Sequence, residues 1–265
     1  MPYFETTAGR VFAVVQGEGP PVVLLHGFPL THRMWREQMV PLSANHQLIV
    51  PDFPGFGQTS LAKDSLSIDD YAIVTFALLD VIAPQQPVHV AGLSMGGYIA
   101  MGMLRQAADR IRSLALLNTK READSAEAAQ KRLAMADKLL VEGSRVAAEA
   151  MMPIVMAPDV NEDRPALFDF VRDLMISQAA RGLAVAQRAM ASRPDSTELL
   201  AKCSVSVLVV AGSEDKITPP QGMAEMARDI PGSQFVTIAD AGHLSPLEKP
   251  VAVNEALLSH FQRCR

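Results

Sequence analysis

Apolar residues in this chain gather in short runs separated by stretches of helical spacing. PVVLLHG (21–27), QPVHVAG (86–92), IRSLALLNT (111–119) and VSVLVVAG (205–212) are near-continuous apolar runs of strand length. RVFAVVQGEG (10–19), the start of HQLIVPDFPGFGQTS (46–60) and QFVTIAD (234–240) read as further strands ending at turn residues. Between them, IDDYAIVTFALLDVIA (68–83), SMGGYIAMGMLRQAA (94–108), PPQGMAEMARDI (219–230) and PVAVNEALLSHFQRC (250–264) repeat their apolar positions at the spacing of a helix. Ser67 and Asp69 are placed to cap the first of these.

The alternation breaks from Lys120 to about Cys203, where no strand pattern occurs. SAEAAQKRLAMADKLLVEG (125–143) starts at a serine without a full capping box and stops at Gly143, and RPALFDFVRDLMISQA (164–179) carries Pro165 as a helix opener. Strands that alternate with helices argue for a mostly parallel sheet covered on both faces. The expected organisation is therefore an α/β core from 1–119 and 204–265. A helical lid, 120–203, is inserted after the sixth core strand.

Candidate chemistry centres on Gly92-Leu93-Ser94-Met95-Gly96, a G-x-S-x-G placed between a buried strand and a helix. A sharp turn there would expose a serine hydroxyl, and side chains at the flanking glycines would collide. Such a serine needs its acid and its base later in the chain, in that order. Of the six histidines, His32, His46 and His260 lie in polar or surface-like settings, and His89 precedes the serine inside a strand. His243 follows a late strand in the loop DAGHLSPLEKP (240–250) and is the candidate base. Asp215, after VSVLVVAG and ahead of two prolines, is the candidate acid; Glu214 is its local rival and Asp124 its distant one. Acyl transfer also requires two N–H donors for a developing oxyanion. Met95, at the helix start, and Phe28, in the His26-Gly27-Phe28-Pro29 loop, are the candidates, with His26 holding that loop.

Several stretches in order resemble the α/β-hydrolase family: HGFP at 26–29, DFPGFGQTS at 52–60, GLSMGG at 92–97, GSED at 212–215 and GH at 242–243. The resemblance implies an α/β-hydrolase fold and a Ser94–Asp215–His243 triad acting through an acyl-enzyme. It gives Asp52 a structural place. The HGFPLTHRMW segment is similar to esterases, 3-oxoadipate enol-lactonases and cofactor-free haloperoxidases or perhydrolases. Serine at position 94 departs from epoxide hydrolases and haloalkane dehalogenases, which have aspartate there.

Composition narrows the reading further. Apolar residues are 49%, charged residues 20%, and the net charge is −5, which leaves no electrostatic footprint for nucleic acid or an anionic membrane. No apolar run reaches bilayer length, the N-terminus lacks a signal-peptide pattern, and two cysteines make no disulfide framework, so the expected compartment is the cytoplasm. Neither a metal site nor an organic cofactor is expected. The expected partner is a small-molecule ester or lactone contacted by Phe28, Trp35, Met152 and Leu244. An anionic lactone would need a cation facing inward from Lys131, Arg132, Lys138 or Arg145; at helical spacing these read as a solvated face. A carboxylic-ester hydrolase leads, with an enol-lactonase or a perhydrolase-like activity as enzymatic alternatives. A slow-turnover ligand receptor that keeps the triad is the reading from another class.

Overall fold

The computed structural model describes residues 2–158 and 160–264. Met1, Asp159 and Arg265, which fall within the core and lid spans set out above, lie outside them. The chain runs β1 (Tyr3–Thr6), β2 (Gly9–Gln16), β3 (Pro21–Leu25), α1 (Arg36–Ser43), β4 (Gln47–Pro51), α2 (Ile68–Ile82), β5 (Val88–Leu93), α3 (Met95–Gln106) and β6 (Ile111–Leu117). Six helices follow before the next strand: α4 (Ala126–Glu142), α5 (Arg145–Met151), α6 (Val160–Asp163), α7 (Pro165–Ile176), α8 (Ala180–Ala191) and α9 (Thr197–Ala201). The chain then closes with β7 (Ser206–Gly212), α10 (Pro220–Asp229), β8 (Gln234–Ile238), α11 (Ser245–Glu248) and α12 (Pro250–Arg263).

The strands form one eight-stranded sheet in the order β1-β2-β4-β3-β5-β6-β7-β8. β1 and β2 pair antiparallel, as do β2 and β4, and every other pairing is parallel. Why the strand sequences are apolar throughout is visible in where alternate residues go. Val23 and Leu25 of β3, with Val207, Val209 and Ala211 of β7, join the core on one face. Val22 and Leu24, with Leu208 and Val210, join the core on the other. Both faces are covered, so neither half of the two-residue period can be polar.

Some local expectations need correction. The α2 cap is a reciprocal box between Ser67 and Asp70, not Asp69: Asp70 Nα donates to Ser67 Oγ (3.1 Å) and Ser67 Nα to the Asp70 carboxylate (2.7 Å). The box requires the third helical residue, and Asp70 holds that position while Asp69 faces Arg105 of α3 at 2.7 Å. His46 and His260 are fully buried rather than surface-like. The His46 ring packs edge-on to Phe261, 5.6 Å between centroids, a contact that brings the turn before β4 against α12. Outside the insertion, three elements gave no pattern: β1, a four-residue edge strand; α1, interrupted by Pro41; and α11, a single turn. Within it, α5, α6, α8 and α9 were not separately marked.

Asp124, the distant rival for the acid, serves instead at the neck of the helical insertion. Its fully buried carboxylate meets Arg132 (2.5 Å), Arg193 (2.8 Å) and Lys120 (3.1 Å). Burial alone would raise its pKa, but the Arg193 hydrogen bond and the Arg132 charge hold it well below the usual carboxylate range. Beside it, Ser196 Nα donates to Arg121 O (2.9 Å), joining the two strands of chain that enter and leave the insertion.

Burial drives the imidazoles of both His26 and His260 from the ordinary value of 6.5 down to about 4. Between those values the unfolded chain takes up protons that the folded chain refuses. This part of the stability is complete above pH 6.5 and is lost as pH falls toward 4. Thermal unfolding followed from pH 7.5 to 4.5 should give a falling Tm, with a shallower slope in His260→Leu. Equal slopes for the two proteins would refute the account.

Candidate active site

Ser94 sits between β5 and α3 with φ 53° and ψ −112°, in the left-handed region that a non-glycine residue enters only under strain. Strain of this kind costs about 1–3 kcal/mol and persists where neighbouring structure imposes it. The imposing contacts are on both sides. Ser94 Nα donates to Leu117 O (3.0 Å), and Ser94 O accepts from Gly97 Nα (2.9 Å) and from Thr119 Oγ1 (2.8 Å). The turn closes only because two of its positions carry no side chain. A Cβ on Gly92 would overlap Gly96 O, and one on Gly96 would overlap Leu25 O at the end of β3. α3 starts at Met95, so the serine stands at a helix N-terminus, where the helix dipole favours negative charge.

The parallel register brings the loops after β5, β6, β7 and β8 to the same edge of the sheet. Asp215 and His243 meet there. His243 Nδ1 lies 2.8 Å from Asp215 Oδ2, with both side chains buried. Because an ionised carboxylate can only accept, Nδ1 carries the proton and Nε2 carries the lone pair. Nε2 is buried and has no hydrogen-bond partner among the described residues. Asp215 also accepts from Asn118 Nδ2 (2.8 Å), Thr218 Oγ1 (2.5 Å), Ile217 Nα (2.8 Å) and Thr218 Nα (3.0 Å). Burial alone would raise its pKa; the His243 charge and these hydrogen bonds outweigh it and hold the carboxyl at about 2. Glu214, the neighbouring rival, is exposed and makes no contact with an imidazole.

The HGFP loop approaches from β3. A Cβ on Gly27 would come within 3.5 Å of Ser94 Cβ, which places the backbone just ahead of Phe28 against the serine. Neither Phe28 Nα nor Met95 Nα donates to a protein acceptor among the described residues. His26 holds the loop: Nε2 accepts from Phe53 Nα (3.2 Å) while Nδ1 faces Gly27 O (3.1 Å). Asp52 is buried and accepts from His32 Nα and Nδ1 (each 2.8 Å) and from Gln58 Nα (3.0 Å), pinning the 52–60 loop behind the site.

The expected substrate contacts separate. Trp35 is fully buried in the apolar layer that includes Val155, Met156 and Leu244, and offers no accessible surface. Leu244 is buried beside His243 in the same layer, and Phe28 is 7% exposed. Met152 lines a cavity of about 300 Å³ with Met156, Ala157, Phe168 and Lys216. Asn118, Thr218 and Ser245 were absent from the sequence-based site. Ser245 Oγ donates to Asn118 Oδ1 (2.6 Å), which aims the Asn118 amide at Asp215. Their only sequence signal is that Asn118 is a polar residue ending an apolar strand.

A family model described as alpha/beta hydrolase fold matches residues 20–250. The chain belongs to that family. In structure the chain resembles a thermophilic esterase from Thermogutta terrifontis, solved with malate bound. The TM-score is 0.95 at 36% identity, covering 99% of this chain and 98% of that one. In sequence it is 25% identical over 248 residues to 3-oxoadipate enol-lactonase 2 of Acinetobacter baylyi, covering 94% of this chain and 91% of the relative. A bromoperoxidase from Bacillus anthracis shares the fold, with TM-score 0.84 at 22% identity over 96% of this chain and 95% of that one. No helix among the described residues is long and apolar enough to cross a membrane.

Because the added Cβ would meet backbone of β3, Gly96→Ala should destabilise the protein by roughly 1–3 kcal/mol. It should also reduce activity beyond what the lost stability explains. Urea unfolding and turnover of a chromogenic ester measure the two. A variant with wild-type midpoint and rate would show that the turn has room to spare.

Proposed function

We propose that the protein is a serine hydrolase that cleaves a small or medium, uncharged carboxylic ester through an acyl-enzyme. The observation that carries this reading is the imidazole of His243. One nitrogen is tied to a buried carboxylate, and the other is left unpartnered at the sheet edge where Ser94 stands. Ser94 attacks the ester carbonyl while His243 Nε2 takes its proton. Asp215 keeps the ring in the required tautomer and favours the imidazolium that forms. The N–H groups of Phe28 and Met95 receive the oxyanion, and the ester C–O bond breaks as His243 returns the proton to the departing alcohol. A water deprotonated by His243 then attacks the acyl-enzyme to release the acid and free Ser94. The helices between residues 120 and 203 act as the lid, with Met152 on the substrate side.

The state of four cations in the insertion speaks for a neutral substrate over an anionic lactone; Lys216, on the wall of the Met152 cavity, is the cation that an anion there would meet. Lys131 pairs with Glu127 (2.6 Å), Arg132 with Asp124 (2.5 Å) and Lys138 with Glu142 (3.7 Å), while Arg145 is exposed. None of the four is held in the interior without a counter-charge.

Turnover of p-nitrophenyl acetate and butyrate should be readily measured, and Ser94→Ala should lower kcat by about 10⁴-fold or more with an unchanged circular-dichroism spectrum. A neutral aryl ester should be preferred to an anionic enol-lactone in kcat/KM. Ester turnover that survives in Ser94→Ala would sink the mechanism, and a strong preference for the anionic lactone would overturn the substrate class.

A further inference from the structure

Glu248, five residues after His243, is a buried carboxylate with no cation on it. It is 3% exposed and takes its hydrogen bonds from backbone alone. Oε2 accepts from Gly242 Nα (3.0 Å) and Ala157 Nα (2.8 Å), and Oε1 accepts from Leu244 Nα (3.0 Å). Two of these donors flank His243 on either side; the third belongs to the segment between α5 and α6 of the insertion. The same two pieces of chain are joined again where His243 Nα donates to Val155 O (3.1 Å). Arg164, at the start of α7, donates to the carbonyls of Glu248 (2.6 Å) and Leu247 (3.4 Å). Gly242 lies so close to Met156 and Ala157 that a Cβ there would overlap their backbone.

We propose that Glu248 is a positioning residue for His243. Its carboxylate binds the backbone on both sides of the imidazole to Ala157 of the insertion, so the base is aimed only while the insertion is seated. This rests on the reading of His243 as the general base. Two features separate the arrangement from ordinary loop packing. A buried carboxyl group is a costly way to satisfy three N–H groups unless it serves a further purpose. Burial pushes the Glu248 carboxyl up, while the three backbone donors and the nearby His243 charge pull against that rise. The other charged groups facing it lie around an adjoining cleft of about 340 Å³: Asp163, Arg164, Glu214, Asp240 and Lys249.

The test compares wild type, Glu248→Gln, Glu248→Asp and Arg164→Ala. The readouts are kcat and KM for p-nitrophenyl acetate from pH 5 to 9, the rate of Ser94 labelling by a fluorophosphonate, and Tm. Misaiming the base by a fraction of an ångström in Glu248→Gln should lower kcat about 10–100-fold, with KM within about twofold. Removing a negative charge beside the imidazole should move the acid limb of the rate profile to lower pH. Glu248→Asp should keep that limb in place while losing part of kcat, and Arg164→Ala should lose kcat about threefold to tenfold without moving the limb.

A lower Tm in Glu248→Gln with wild-type kcat and an unmoved limb would make the residue structural only and overturn the proposal. Should Glu248→Gln fail to fold, a wild-type kcat in both other variants overturns it equally. If wild-type protein neither turns over the ester nor is labelled at Ser94, it is the hydrolase reading that has failed. The His243 imidazole titration by NMR, compared between wild type and Glu248→Gln, then decides the positioning role, and identical curves would end it.

Discussion

One oxygen atom organises this protein's functional edge. Asp215 Oδ2 receives the His243 imidazole, the Asn118 amide and the Thr218 hydroxyl, each from a different stretch of chain, within 2.5–2.8 Å. A buried carboxylate is tolerable only when its charge is met by directed donors. Meeting it here requires the loops after β6, β7 and β8 to arrive together. The parallel sheet supplies that convergence, because all its strands from β3 to β8 end on the same side. Ser245, through Asn118, extends the network into α11 and hence to the turn that carries His243.

The serine side of the site depends on a different constraint, the exclusion of atoms. Gly92 lets the end of β5 meet the start of α3, Gly96 lets α3 press on the end of β3, and Gly27 lets the HGFP loop lie against Leu93 beside Ser94. Strain at Ser94 goes with this close packing, and the N–H groups of Phe28 and Met95 beside it have no acceptor among the described residues. The site thus joins a carboxylate with many donors to an imidazole nitrogen and two backbone N–H groups that have no partner among the described residues. His26 and Asp52, both buried and hydrogen-bonded, hold the loops behind it.

The helical insertion is tied down at two places by charge. At its neck, Asp124 gathers Arg132, Arg193 and Lys120; at its far side, Glu248 and Arg164 bind it to the His243 loop. Lysines and arginines along its helices read in sequence as a solvated face, and for Lys131 and Lys138 that is where they are. Arg132 departs from the pattern because its partner lies outside its own helix, before Ser125, where helical periodicity carries no information.

The sequence alone determined the elements with strong period: the apolar runs of β3, β5, β6 and β7, the amphipathic helices around them, and the glycine-flanked Ser94 between β5 and α3. These follow from local physics, in which a strand buried on both faces or a turn that admits no side chain leaves its mark in consecutive residues. His243 and Asp215 were legible one step less directly, from their order after late strands. Tertiary structure alone decided what sits around them. Nothing near Asn118 or Thr218 in the chain says that they share a carboxylate with His243, nor does Glu248 announce three backbone donors from two segments. It also withdrew Trp35 into the core and placed His46 and His260 inside, since burial depends on what packs above a residue rather than on its neighbours in sequence.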